Sequence, residues 1–114
     1  MHLYLNSSLP IIWAGDHNLT QDAKIDRYPL RLENDMGCKE FLDMMNVFDL
    51  KDACRTLYPR DTFFTFKRAD AKSRIDAICL SSAFKIKTYT QKDIGFSDHD
   101  LIMTKIIFDR GAGI

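Results

Sequence analysis

The second half of this chain is a succession of β-forming segments, and this feature constrains the fold most. Residues 62–66 are rich in aromatic and β-branched side chains, and further strands are predicted at 73–80, 84–90 and 101–108. Ahead of them, apolar residues at 41, 44, 45 and 48 have the spacing of an amphipathic helix. Helices grouped before a run of antiparallel strands predict an α+β fold with helices on one face of the sheet.

The rest of the chain yields further expectations. Residues 9–14 predict a buried strand, and 16–34 a long loop. Asn34 or Asp35 is expected to cap the main helix, and a short helix at 51–57 ends before Pro59. A polar turn at 67–72 would join two strands into a hairpin. The apolar sequence of 101–108 predicts burial on both faces, and residues 111–114 are expected to fray.

Composition excludes several classes of protein. The 114 residues carry 16 basic and 16 acidic side chains and are 46% hydrophobic, which fits one small folded domain and argues against a disordered chain, a collagen repeat or a coiled coil. With zero net charge, any nucleic-acid site must be local. The three cysteines share no close spacing and predict reduced, buried thiols in an intracellular, non-secreted protein. No apolar run approaches the ~20 residues of a membrane span, so no membrane partner is expected.

Polar clusters interrupt the predicted strands at their ends: GDHN at 15–18, SRID at 73–76 and SDHD at 97–100. A carboxylate next to a core strand is costly to desolvate unless it is paired or binds a cation. Each cluster alone is also typical of an ordinary turn or a surface polar pair. Together they supply the groups needed for metal-assisted phosphodiester hydrolysis, namely carboxylates for a hard cation, an amide and an imidazole. These groups are Asp16, Asn18, Asp76, Asp98 and His99.

These motifs resemble those of a known family. The segments at 11–18, 62–64, 73–76 and 97–99 are similar, in order and spacing, to the C-terminal motifs of the endonuclease/exonuclease/phosphatase superfamily. The resemblance is strongest to the apurinic/apyrimidinic-like endonuclease domain of LINE-type non-LTR retrotransposons, which residues 50–55, Pro59 and the pair Asp26-Arg27 also resemble. It implies that residues 1–114 are the C-terminal half of a DNase I-like, four-layer α/β sandwich. The N-terminal half, with its Asn, metal-binding Glu and Tyr, would be absent.

The resemblance also implies roles for individual residues. Asp16 would orient or activate water or serve the leaving group, and Asn18 would contact the scissile phosphate. Asp76 would hold His99, which would stabilise the pentacovalent phosphate. Asp98 and Asp16 would bind Mg²⁺, with Mn²⁺ equally compatible. DNA contacts would come from Thr62, Lys67, Arg68, Lys72, Arg74 and Ser97, although a plain solvated hairpin also explains the basic residues at 67–72. His17 stands where the family has Phe, and no role is assigned to it.

The leading hypothesis is therefore a fragment of a Mg²⁺-dependent endonuclease that nicks DNA, nuclear if it belongs to an active retrotransposon. An inactive remnant or interaction module is the alternative, and an inositol or lipid phosphatase of the same superfamily is another. The SRID spacing and the strand beginning DTFF favour the nuclease branch. We expect little activity from the isolated chain, because the principal Glu ligand is missing. We also expect an exposed apolar sheet face that self-associates or binds the N-terminal half.

Overall fold

Residues 9–108, which the computed structural model describes, form a mixed α/β domain with mostly antiparallel sheets and few helices. The elements in chain order are β1 (Ile12–Asp16), α1 (Ala23–Asp26), β2 (Arg27–Tyr28), α2 (Cys38–Val47), β3 (Leu50–Asp52), α3 (Ala53–Leu57), β4 (Phe66–Arg68), β5 (Ala71–Ser73), β6 (Asp76–Ser81), β7 (Phe84–Lys92) and β8 (Leu101–Phe108). This arrangement agrees with the predicted α+β class. The calls for residues 1–8 and 111–114 lie outside the described residues.

Strand β6 is the centre of the main sheet, with β1 and β3 paired antiparallel on its two sides. Successive side chains of a strand point to opposite faces, so the order Ala77, Ile78, Cys79, Leu80 supplies two different surfaces. The small side chains Ala77 and Cys79 pack with α2, whose Phe41 and Met45 are buried against them. This pairing of small strand residues with large helical ones lets the helix lie close to the sheet.

The opposite face of β6 packs against the β7–β8 hairpin. Leu80 lies in a cluster with Tyr89 of β7 and with Ala53 and Cys54 of α3, and Ile102 of β8 packs against that cluster. The helices α2 and α3 therefore contribute to opposite faces of the main sheet. The prediction that the helices lie on one face is wrong, because α3 follows β3 directly and turns back across the other side.

A second sheet, in the order β2–β5–β4, is built around the basic segment. Lys67 pairs with Lys72 across β4 and β5, and the turn between them uses Ala69 in the left-handed conformation, with φ 52°. The segment 67–72, predicted as a polar turn, therefore contains most of β4 and β5, and only residues 69 and 70 form the turn. Residues 61–65 are not a strand, and the strand predicted at 73–80 divides into β5 and β6. The backbone of residues 64 and 65 is instead hydrogen-bonded to distant groups, described below.

The segment 16–34 is more ordered than the predicted loop, since it contains α1 and β2. Asp35 holds it in place by accepting hydrogen bonds from Thr20 and from the guanidinium of Arg27. Burial opposes ionisation of Asp35, but the bonds from Arg27 and Thr20 prevail and lower its pKa to about 2. Asp35 is therefore not the predicted side-chain cap of α2, which begins after Gly37 in the left-handed region at φ 87°.

Strand β8 is less buried than its sequence predicts. Ile102 and Ile106 face the core, whereas Leu101, Met103 and Ile107 on the other face are each about half exposed. The three cysteines are free and buried, as predicted, and burial raises the pKa of the Cys54 thiol to about 11 and of Cys79 to about 12. Among the described helices, none has the length and apolarity that crossing a membrane requires.

Candidate active site

The ends of β1 and β6 place two carboxylates side by side. Asp16 is the last residue of β1 and lies opposite Asp76, the first residue of β6, in the antiparallel register. A bridge between Phe66 and His99 brings the loop before β8 to the same edge, and the two rings are 4.8 Å apart. The structure thereby joins Asp16, Asp76 and His99, which the sequence holds up to 83 positions apart (99 − 16).

The imidazole of His99 lies between the two carboxylates. Its Nδ1 is 2.8 Å from Oδ2 of Asp76, and its Nε2 is 3.8 Å from Oδ2 of Asp16. The Asp76 side chain is 12% exposed, whereas those of His99 and Asp16 are 34% and 38% exposed. The buried carboxylate therefore fixes the ring, and Nε2 points toward the accessible carboxylate and solvent.

This environment favours the charged form of His99. The hydrogen bond to Asp76 raises the pKa of His99, and the charges of Asp76, Asp16 and Asp98 act in the same direction, against the effect of burial. A carboxylate oxygen only accepts, so Nδ1 carries a proton in this pair. An imidazole held in this way can donate a proton or hydrogen bond from Nε2 to negative charge developing on a substrate.

The turn after β1 presents Asn18 at the edge of the same site. Asn18 is exposed and adopts a left-handed conformation with φ 56°, and its backbone N–H donates to Oδ1 of Asp16 at 2.8 Å. Asparagine tolerates this conformation better than most residues. This bond holds Oδ1 of Asp16, and Oδ2 is the oxygen that lies toward His99.

The donor set is compatible with a divalent cation but not specific to Mg²⁺. One ligand atom from each of Asp16, Asp76 and His99 lies within 4.8 Å of the others. Asp76 gives Oδ2 to His99 and is largely buried, so Asp16, with a side chain 38% exposed, is the more accessible carboxylate of the group. Asp98, the other predicted metal ligand, does not belong to this group. It is exposed, and its backbone carbonyl accepts from the N–H of Lys67.

Most of the predicted DNA-contacting residues lie on the surface. Lys67, Arg68 and Lys72 are exposed on the β4–β5 hairpin, Thr62 is exposed ahead of it, and Ser97 is exposed in the loop before β8. The Ser97 hydroxyl accepts a hydrogen bond from the backbone N–H of His99 at 3.1 Å, which shapes that loop. These positions are accessible to a ligand, and the hairpin begins at Phe66, which contacts His99.

Arg74 is the exception among these residues. Its side chain is 1% exposed and bonds Asp26 through Nε at 3.0 Å and Asp52 through Nη1 at 2.6 Å. Although burial opposes the charge, the two carboxylates raise the pKa of Arg74. Arg55 also pairs with Asp26, and Gln21 donates to Asp52. Arg74 thus links α1 and β3 to the segment before β6 through buried ion pairs. Its assignment to DNA phosphate is wrong, because its side chain does not reach the surface.

His17 packs in the main core rather than in the site. Its ring lies 4.6 Å from that of Trp13 and 5.1 Å from that of Phe41, and its buried Nε2 has no hydrogen-bond partner. Burial lowers the pKa of His17, although interactions with Ala77 and nearby carboxylates oppose this effect. The neutral ring therefore acts as an aromatic core residue.

Sequence reasoning missed the residues that hold the site together. Gln91 of β7 donates through Nε2 to the carbonyl of Phe64 at 2.6 Å and to Oδ2 of Asp100 at 3.0 Å, while its Oε1 accepts from the buried Tyr89 hydroxyl. Thr65 makes further bonds of this kind, considered below. The sequence offered no signal for either role, because these bonds join Gln91 and Thr65 to residues of other segments, such as Phe64, 27 positions from Gln91.

Comparisons with protein-family models and with curated proteins found no match.

Proposed function

We propose that this chain is part of a metal-dependent phosphodiesterase that nicks DNA, of the retrotransposon endonuclease type. The observation that supports it best is the arrangement Asp76–His99–Asp16, in which a buried carboxylate orients an imidazole toward an accessible carboxylate. This is a suitable arrangement for stabilising charge on a phosphoryl group while a second group handles the attacking water.

The residues divide the chemistry between them. Nε2 of His99 donates to a non-bridging phosphoryl oxygen, whose negative charge grows as water attacks. Asp16 accepts a hydrogen bond from that water or takes its proton, and the amide of Asn18 donates to a phosphoryl oxygen. Asp76 keeps His99 in the donating orientation. The hydrogen bond to Asp76 raises the pKa of His99, which supports this role because the charged imidazole is the better donor.

A divalent cation would supply a Lewis acid next to the phosphate. Asp16 is the residue best placed to hold it, since its side chain is the more exposed of the two and Asp76 gives one oxygen to His99. One carboxylate gives weak affinity, because the number and charge of the ligands set it. The resemblance places the main Glu ligand in the other half of a DNase I-like sandwich, so full activity would need that half.

The β4–β5 hairpin supports DNA as the substrate. Lys67 and Lys72 lie directly opposite each other, an arrangement that destabilises a strand pair unless an anion lies nearby. Asp100 offsets part of this charge at 4.0 Å from Lys67, and Nζ of Lys72 lies over the Tyr28 ring, 6.0 Å from its centroid. A DNA phosphate between the lysines would relieve their repulsion, with Arg68 adding a further charge.

The test is nicking of supercoiled plasmid in Mg²⁺, with the chain alone and mixed with the N-terminal half of a related domain. We expect weak nicking by the chain alone and stronger nicking by the mixture. His99→Ala and Asp16→Asn should each reduce the rate of the mixture by at least about 100-fold, consistent with loss of an acid–base or charge-stabilising group.

Lys39→Ala is the control, because Lys39 is exposed on α2 and pairs only loosely with Asp43. Nicking by the mixture that survives both site substitutions would overturn the proposal. So would a mixture that releases phosphate from an inositol polyphosphate but leaves plasmid intact, since that result would indicate a phosphatase.

A further inference from the structure

Thr65 is buried completely, yet none of its polar groups lacks a partner. Its exposure is 0%, although it lies in an irregular segment between two exposed stretches, residues 59–62 and 67–72. Its backbone N–H donates to the carbonyl of Ser73 at 2.9 Å, and its carbonyl accepts from the N–H of Asp100 at 2.7 Å. An interior threonine in non-repetitive backbone keeps such a complete set of bonds only where the surrounding chain is fixed.

The hydroxyl of Thr65 bonds to the backbone that carries Asp76. Oγ1 accepts from the N–H groups of both Ile75 and Asp76, each at 3.1 Å. These two residues connect β5 to β6, where the chain leaves one sheet and enters the other. The hydroxyl therefore satisfies backbone N–H groups that a neighbouring strand would otherwise bond, and it does so at the residue that carries the Asp76 side chain.

The same residue also fixes the loop that carries His99. The bond from Asp100 to the Thr65 carbonyl and the Phe66–His99 bridge are consecutive links between this segment and residues 98–100. Thr65 thus connects both partners of the 2.8 Å contact between Asp76 and His99. A displacement at Thr65 changes the separation of those two side chains directly.

We propose that Thr65 is a positioning residue, whose hydroxyl sets the hydrogen bond between Asp76 and His99. Removal of the hydroxyl leaves two buried N–H groups without an acceptor, and the chain before β6 then shifts to find other partners. The catalytic consequence of this role depends on the proposed function, whereas the geometric role does not.

The test compares Thr65→Val and Thr65→Ser with the unaltered chain. Valine keeps the shape and loses the hydroxyl, and serine keeps the hydroxyl. At a pH above the folded pKa of His99, where the ring is neutral, long-range ¹⁵N–¹H spectra report which ring nitrogen carries the proton. In the unaltered chain and in Thr65→Ser we expect the proton on Nδ1, bonded to Asp76. In Thr65→Val we expect a mixture of the two forms, and amide exchange at Ile75 and Asp76 that is at least about tenfold faster.

Leu50→Ala is the stability-matched control. Leu50 is buried with Phe41 and Met45 between α2 and the main sheet, so its truncation destabilises the fold without removing a contact of the site. It should leave the protonated nitrogen of His99 unchanged. If Thr65→Val does not fold, Thr65→Ala against Thr65→Ser isolates the same hydroxyl. A hydroxyl-free variant with His99 protonated on Nδ1 as in the unaltered chain would overturn the proposal.

Nicking separates this inference from the proposed function. In the plasmid assay with the added half-domain, Thr65→Val should lower kcat about 10- to 100-fold with little change in KM, and serine should restore it. A chain that never nicks DNA contradicts the proposed function, while the His99 spectra still decide the role of Thr65.

Discussion

The two histidines of the described region respond to pH in opposite directions. The pKa of His99 is raised by its bond to Asp76, so the stability it contributes is present below the unfolded value of 6.5 and is lost as pH rises through the folded value. Burial lowers the pKa of His17, so its contribution is present above 6.5 and is lost as pH falls through the folded value. Each effect can be isolated by substitution.

His17→Phe should remove the acid sensitivity that originates in the core. The phenyl ring keeps the contacts with Trp13 and Phe41, so we expect a free energy of unfolding within about 1 kcal/mol of the unaltered chain at about pH 8. At about pH 5 the variant should be the more stable protein, because it has no ring to protonate. Urea unfolding across this range measures the difference.

His99→Gln serves as the matched control for this prediction, since it removes the histidine with the raised pKa. Its stability relative to the unaltered chain should improve toward high pH, the reverse of His17→Phe. Identical pH slopes for His17→Phe and the unaltered chain would show that His17 is equally easy to protonate in the folded and unfolded states.

At the scale of elements, local sequence patterns predicted the segments that have a regular apolar pattern of their own. Helix α2 and strands β7 and β8 lie close to their predicted ranges because their periodicity is contained within each segment. Residues 62–65 have a strand-like composition but form no strand, since Thr65 and Phe64 bond to Asp100 and Gln91. Such long-range partners are invisible to periodicity.

The candidate site divides in the same way. Asp16 and Asp76 could be predicted because each adjoins a strand whose apolar sequence is evident. The motif resemblance assigned Arg74 to DNA phosphate, but its partners Asp26 and Asp52 are 48 and 22 positions away. A buried guanidinium with two carboxylates has the same local sequence as an exposed one, so the difference required the fold.

The β4–β5 hairpin gives a prediction about salt dependence. If the hairpin contacts phosphates, replacing Lys67, Arg68 and Lys72 by Gln should weaken binding to duplex DNA. It should also reduce the slope of log K against log salt by about 2 to 3, since each contact contributes ~0.9. Fluorescence anisotropy of a labelled duplex at several salt concentrations measures both quantities.

A second triple variant tests whether position or merely charge is responsible. Lys85, Lys87 and Lys105 are exposed on the β7–β8 hairpin, so replacing them by Gln removes the same charge from a different surface. We expect its salt slope to stay close to that of the unaltered chain. Equal slopes for the two triple variants would indicate nonspecific attraction rather than a hairpin site.

At the scale of the whole molecule, the main sheet has a helix on one face and the β7–β8 hairpin on the other, but the outer face of β8 remains open. Leu101, Met103 and Ile107 occupy alternate positions on this face, with Lys105 between the last two, and are 45%, 47% and 50% exposed. Leu101 also borders a cavity of about 340 Å³ beside Asp76 and Ile78. The apolar surface therefore adjoins the candidate site.

An apolar surface of this kind should bind a hydrophobic dye and promote association of the chain. We expect Met103→Thr combined with Ile107→Thr to lower the dye fluorescence at least about twofold and to shift light scattering toward the monomer, because threonine keeps the β-propensity and removes apolar area. Met36→Thr is the control, since Met36 is 98% exposed but lies in a loop away from β8. If Met36→Thr lowers the dye signal as much as the β8 variant does, the dye reports scattered side chains, and the β8 face is not the associating surface.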